Sequence, residues 1–206
     1  MRSWYHNSIP SDSIWLIRHA ERQKRDPGTY GNDLHLTERG HKEALHLGKS
    51  LSKTSLKAVH SSPILRCMQT SEAIVQGVNQ RLPIFQSHLL GDPGAFISDA
   101  ELAGPYFLNN TIEEIAEKIV SGKPLPGMRL LSEGGQLLLD YIIQLPFEPT
   151  LIVSHDLIIC LFCCYLFNSN EIAHYLPDFL EGLTLTRKNK GLLARYGSHV
   201  REFTLA

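Results

Sequence analysis

Three polar clusters stand out, each directly behind a short apolar run: Arg18-His19-Ala20-Glu21-Arg22, His60-Ser61-Ser62-Pro63 with Arg66 one turn further on, and Ser154-His155-Asp156. Imidazole exchanges protons near neutral pH, and guanidinium offers a fixed charge with forked donors that match phosphate oxygens. Two histidines, up to three arginines and one aspartate drawn to one place are suited to hold an anion and to do chemistry on it. Each residue also has a plain structural reading. Ser62-Pro63 is a good helix start, Thr37 is a cap, and Asp156 caps the following helix or sits in its first turn. Arg66 alone is a solvated charge, and His155 alone is a hydrogen-bonded strand end. The functional reading rests on the same kind of cluster recurring three times.

The elements that must position these clusters are legible as alternating periods. Apolar runs at Ile14–Ile17, Ala58–His60 and Thr150–Val153 read as strands, with a short further strand near Ile84-Phe85. Helical spacing predicts helices over about 38–52, 63–76, 132–145 and 157–167. Such alternation predicts an α/β protein, a three-layer α/β/α sandwich around a mostly parallel central sheet. In parallel sheets the carboxyl ends of the strands form the ligand crevice, and the helix N-termini that open there favour an anion. Leu89 to Leu131 is rich in Gly and Pro, from Gly91 and Pro93 to Pro124, Pro126 and Gly127, and reads as an excursion forming the pocket rim. One helix is expected in it, about 111–121, capped by Thr111. Its Phe96, Tyr106 and Phe107 serve a ligand or a local core. Strands are expected at 183–187, 192–196 and 200–205, separated by turns at Asn189-Lys190-Gly191 and Gly197-Ser198.

A chain of 206 residues with 43% hydrophobic and 20% charged residues is an ordinary globular protein, read as one domain over 1–206. Its 20 basic and 21 acidic residues nearly cancel, which gives no field to gather nucleic acid. Cys160, Cys163 and Cys164 share one apolar stretch and read as packing; Cys67, beside Arg66, reads as core or as a reactive thiol. Met1 to Pro10 shows no signal peptide and no run is long enough to span a bilayer, so the expectation is a cytoplasmic protein without a membrane partner. Oligomeric state is not readable.

The clusters resemble the histidine phosphatase superfamily, the phosphoglycerate-mutase-like fold. The resemblance is carried by Arg18-His19-Ala20-Glu21, by Leu36-Thr37-Glu38-Arg39-Gly40 with Glu43-Ala44, by Ser61-Ser62-Pro63-Ile64-Leu65-Arg66-Cys67-Met68-Gln69-Thr70, and by Val153-Ser154-His155, in the family's order. Ala20 stands where the family usually has Gly. Arg22 and His155-Asp156 look like the acid-phosphatase branch; the short chain and the Ser-Ser-Pro block look like the mutase branch. The resemblance implies hydrolysis of a phosphomonoester through a phosphohistidine on His19. Arg18, Arg66, Arg22 and, if protonated, His155 would bind the phosphoryl group. A carboxylic acid would protonate the leaving group: Asp156, then Glu101, then Asp92. Four cations would do the work of a metal, so no cofactor and no metal is expected, and the partner is a small phosphomonoester or a phosphoprotein. The alternatives are a phosphoglycerate-mutase-type phosphotransferase, a degenerate protein that only binds a phosphorylated ligand, and a metal hydrolase built on His19, His155 and Asp156. The neighbouring arginines would repel the metal that the last of these requires.

Overall fold

Strand β1 (Ser13–Arg18) sends its side chains alternately into two cores: Ile14 and Leu16 into one, Trp15 and Ile17 into the other. A strand buried on both faces belongs in the middle of a covered sheet, and β1 does. The computed structural model describes residues 12–26, 28–123, 125–189 and 191–204. With β2 (Ala58–Ser61), β3 (Ile84–Gln86), β4 (Thr150–Ser154), β5 (Gly182–Lys188), β6 (Gly191–Tyr196) and β7 (His199–Thr204), β1 makes one seven-stranded sheet in the order β3-β2-β4-β1-β5-β6-β7. The first four strands in that order run parallel, and β5 to β7 are antiparallel. The sheet is therefore mixed, with a parallel part of four strands that carries the site and an antiparallel part of three. Tight turns such as the one at Gly197 bring β6 and β7 back alongside their neighbours without a crossover.

Helices α1 (Glu38–Leu51) and α2 (Leu65–Val78) cover one face, packing Ala44, Leu47, Leu51 and Ile74 against Trp15, Ile17, Leu151 and Val153. On the other face lie α4 (Ile112–Val120), α5 (Leu131–Gln144) and α6 (Asp156–Phe167). Helix α6 is apolar around nearly its whole circumference because helices, sheet and the following segment enclose it. Its three cysteines are buried free thiols, part of that packing.

The excursion holds two helices where one was expected. Helix α3 (Ala100–Asn109) precedes α4, and Asp99 caps it by accepting from the amides of Glu101 and Leu102. Gly104 and Pro105 inside it disguise it, since both oppose helix formation. Helix α4 starts at the expected Thr111 capping box. The turn residue Lys190, Pro124, the strand end at Leu205 and the segment Met1–Pro10 lie outside the described residues. Among the described residues no helix is long and apolar enough to cross a membrane.

Candidate active site

In the sheet β4 lies between β1 and β2, so the carboxyl ends of these three strands meet at one edge. The ladders continue one step beyond the strands: the His19 amide donates to the Ser154 carbonyl at 2.9 Å, and the Ser62 amide to the Val153 carbonyl at 3.0 Å. Backbone pairing thus fixes where His19, Ser62 and His155 leave the sheet. Thr70 Oγ1 accepts from the Ala20 amide at 3.0 Å and donates to the Arg66 carbonyl at 2.7 Å, tying the turn after β1 to α2. The start of α1 presses on the same turn. A Cβ at Gly40 would stand 2.0 Å from the Glu21 carbonyl oxygen, so that position requires glycine. Thr37 is the expected cap, accepting from the Gly40 amide at 2.9 Å.

Arg66 organises the centre. Its Nε donates to His19 Nε2 at 3.1 Å, one terminal nitrogen lies 3.1 Å from His155 Nδ1, and the other donates to the Gly31 carbonyl at 3.0 Å. Guanidinium only donates, so His19 Nε2 and His155 Nδ1 are the lone-pair nitrogens. The protons then sit on His19 Nδ1, 2.8 Å from the Ala20 carbonyl, and on His155 Nε2, 2.9 Å from Ser62 Oγ. Both rings are buried, His19 at 3% exposure and His155 at 7%. Burial, and after it the charge of Arg66, hold both imidazoles well below the usual histidine range. His19 therefore keeps a neutral ring with Nε2 as its basic nitrogen. His155 was expected to join the phosphate ligands only if protonated; burial and Arg66 hold its ring well below the usual range, and its two nitrogens contact Arg66 and Ser62. Ser62 does not cap α2, which begins two residues after Pro63, but its Oγ also accepts from the Ile64 amide. The Cys67 thiol, 3.5 Å from His155 Nε2, is pushed up to about 12 by burial and is core rather than a reactive group.

One cavity of about 550 Å³ opens on this centre, lined by His19, Arg22, Arg66, Glu101, His155 and Asp156 among the expected residues. Arg18 is not in its lining. Its guanidinium pairs with Asp156 Oδ2 at 2.7 Å, donates to the Pro177 carbonyl at 2.9 Å and stacks on Phe179 at 4.3 Å. Asp156 opens α6 and accepts from its neighbour's amide at Leu157, so its two oxygens are engaged. Glu101 is exposed on the rim in the first turn of α3. Asp92 also lines the cavity. Burial raises its carboxyl above the ordinary range against the opposing pull of Arg66, and its Oδ1 is buried with no hydrogen-bond partner among the described residues. Arg22 makes no pair with Glu21, which lies instead 3.5 Å from Arg39. Arg25 in the lining was not anticipated; no motif in the sequence marks it. Phe96 is fully buried core, whereas Phe107 faces the cavity. Among the described residues no group of three or more His, Cys, Asp or Glu side chains could hold a metal ion.

The buried neutral histidines make stability depend on pH. Below about 6.5 the unfolded chain binds protons that folded His19 and His155 refuse. The unfolded state then carries more protons, so stability falls as pH drops, by up to about 1.4 kcal/mol per pH unit for each ring. Urea midpoints measured from pH 7.5 down to 5 should fall more steeply for the native chain than for the double variant H19Q/H155Q. Parallel curves would contradict the burial of two neutral rings.

A family model described as histidine phosphatase superfamily (branch 1) matches residues 14–91, from β1 to the turn before Asp92. No curated protein sequence matches the chain. Among solved structures, a variant of phosphoserine phosphatase from Entamoeba histolytica in complex with phosphoserine is similar, with TM-score 0.61 and 17% identity over 93% of this chain and 95% of that one. Phosphoglycerate mutase from Bacillus anthracis is similar too, at TM-score 0.57 and 16% identity over 95% and 93%. So is YhfR from Bacillus stearothermophilus, at 0.59 and 20% over 93% and 95%. At these identities the likeness is one of fold, and the fold is phosphoglycerate-mutase-like.

Proposed function

We propose, for a chain with this fold and a match to the histidine phosphatase superfamily over its first strands, that it hydrolyses a phosphomonoester through a phosphohistidine on His19. The observation that carries the reading is the lone pair of His19 Nε2, kept unprotonated by burial and by Arg66, beside a guanidinium at one end of a cavity. As the Arg66 Nε–H turns from His19 Nε2 to the phosphoryl oxygens, the freed Nε2 lone pair attacks phosphorus while the ester P–O bond breaks, forming a P–N bond. The Ala20 carbonyl, accepting from Nδ1, stabilises the positive charge that the ring then gains. Arg66 neutralises the equatorial oxygens, where the transition state gathers charge. Arg22 adds a second guanidinium from the same lining. Arg18 takes part by holding Asp156, or by turning its one unpartnered nitrogen, Nε, toward the phosphoryl group.

Of the three carboxyl groups considered as acid, Asp92 fits best. Asp156 is committed to Arg18, and Glu101 is solvated on the rim. Asp92 is half-buried, burial raises its carboxyl above the ordinary range, and its Oδ1 has no hydrogen-bond partner among the described residues. It gives its proton to the leaving alkoxide, and as carboxylate it accepts one from the water that cleaves the P–N bond, which releases inorganic phosphate and restores His19. Three cavity arginines supply the positive charge that a divalent metal would bring and repel such an ion, so turnover is independent of metal.

Two measurements test this. A panel of phosphorylated metabolites should show hydrolysis that a chelator does not diminish and that needs no bisphosphorylated activator; loss of activity with chelator would reverse the metal claim. Asp92→Asn should slow an alkyl phosphate by about 100-fold or more and p-nitrophenyl phosphate much less, because nitrophenolate leaves without a proton. Equal losses on both would remove Asp92 from the acid's role.

A further inference from the structure

We propose that the leaving group carries an anion of its own, a carboxylate or a second phosphoryl group, bound by Arg25 in the cavity that holds His19. The inference deepens the phosphatase reading and rests on it for the position of the first anion.

Three guanidinium groups line this one cavity, Arg22, Arg25 and Arg66. Among the described residues no carboxylate lies within ion-pairing distance of any of them; the nearby Asp156 pairs with Arg18, and Glu21 with Arg39. Arg66 points its donors at the two imidazoles, the end where phosphorus must sit. Arg22 and Arg25 are held by neutral groups instead. Arg22 donates to the Gln23 carbonyl at 2.7 Å, and Arg25 reaches across to the Phe107 carbonyl at the end of α3, also at 2.7 Å. Those bonds orient each guanidinium without cancelling its charge, and most of its five N–H donors stay available. Burial, and after it the charge of Arg66, pull Arg22 below its ordinary range against the opposing pull of Asp156, whose carboxylate is itself paired with Arg18.

Size agrees. About 550 Å³ is within the range of small-molecule pockets, and it leaves room beyond a single phosphoryl group. Ile64, Ile97 and Phe107 supply apolar wall between the polar groups, while Arg25 itself is exposed and Arg22 half-buried. Of the carboxyl groups in the lining, Asp156 is paired with Arg18, Asp92 is half-buried and Glu101 lies on the exposed rim; among the described residues none of the three makes an ion pair with Arg22 or Arg25. A compact organic phosphate with a second anionic group satisfies both ends at once.

Non-hydrolysable phosphonates test this without relying on turnover. Calorimetric Kd values would be taken for propylphosphonate, 3-phosphonopropionate and propane-1,3-bisphosphonate with the native chain and with Arg25→Gln. The native chain should bind at least one of the two doubly anionic probes about tenfold or more tightly than propylphosphonate, a charge-assisted bond's worth. Whichever probe is preferred tells carboxylate from phosphoryl. In Arg25→Gln that preference should shrink toward unity. Equal affinities for all three probes in the native chain, or an undiminished preference in Arg25→Gln, overturn the second-anion subsite alone. If none of the three binds, the phosphoryl site itself is wrong.

Discussion

His19→Ala is expected to lower turnover of p-nitrophenyl phosphate by about four orders of magnitude or more, on the scale seen when a nucleophile is removed. The size of the loss follows from the absence of a substitute. His155 Nδ1 accepts from Arg66 and its Nε2 proton is given to Ser62, so its ring cannot swing in without breaking both contacts. The Cys67 thiol is buried and held protonated by a value pushed up to about 12. Water in place of the imidazole is a weaker nucleophile and would have to displace the leaving group directly. The fold should tolerate the change, because β1 and its ladder bonds do not involve the imidazole. Unchanged far-UV circular dichroism with a collapsed rate is the expected pair of results; a near-native rate would end the mechanism.

Arg66→Ala should cost roughly 100- to 1,000-fold in kcat, the usual loss when one preorganised donor at a developing oxyanion is removed. Arg66→Lys should fall nearly as far. The native guanidinium uses three nitrogens in three directions, toward His19, His155 and the Gly31 carbonyl, and a single ammonium cannot reproduce that fork. The pH profile gives a second, independent readout. Arg66 is among the groups that hold His19 below the ordinary range. Without its charge the ring protonates more readily, so the acid limb of kcat/KM should move to higher pH, toward 6.5. A loss of rate with an unmoved acid limb would mean that Arg66 acts only on the phosphoryl group and not on the nucleophile.

The site was legible where chemistry coincides with a backbone rule. Arg18-His19, Ser61-Ser62 and Ser154-His155 each follow a strand buried on both faces, and parallel order places such ends together. The Thr37 and Thr111 caps were legible for the same reason, since a cap is a local hydrogen bond. What escaped depends on surroundings that a sequence does not display. Helix α3 is stable because Ala103 is buried and Asp99 caps it, although Gly104 and Pro105 argue locally for a turn. The ranking of Asp156, Glu101 and Asp92 needed burial and partners: one is tied to Arg18, one is solvated, one is half-buried with an unpartnered oxygen. The protonation of His155 is not written in its residue type, because burial and the neighbouring Arg66 set it. Arg25 lies in a loop with no periodicity, and only the cavity reveals it. Strands β5 to β7 were legible because turn residues at 189–191 and 197–198 punctuate them.

The most direct test of the central claim is to trap the intermediate. The protein would be mixed with a fast-leaving phosphomonoester, quenched in base within its first turnovers, digested and searched by mass spectrometry for a phosphoryl group. An acid-labile, base-stable adduct on the peptide that carries His19, present in Asp92→Asn and missing in His19→Ala, is the predicted result. A stable adduct on another residue, or hydrolysis at full rate with no adduct at any quench time, would contradict it.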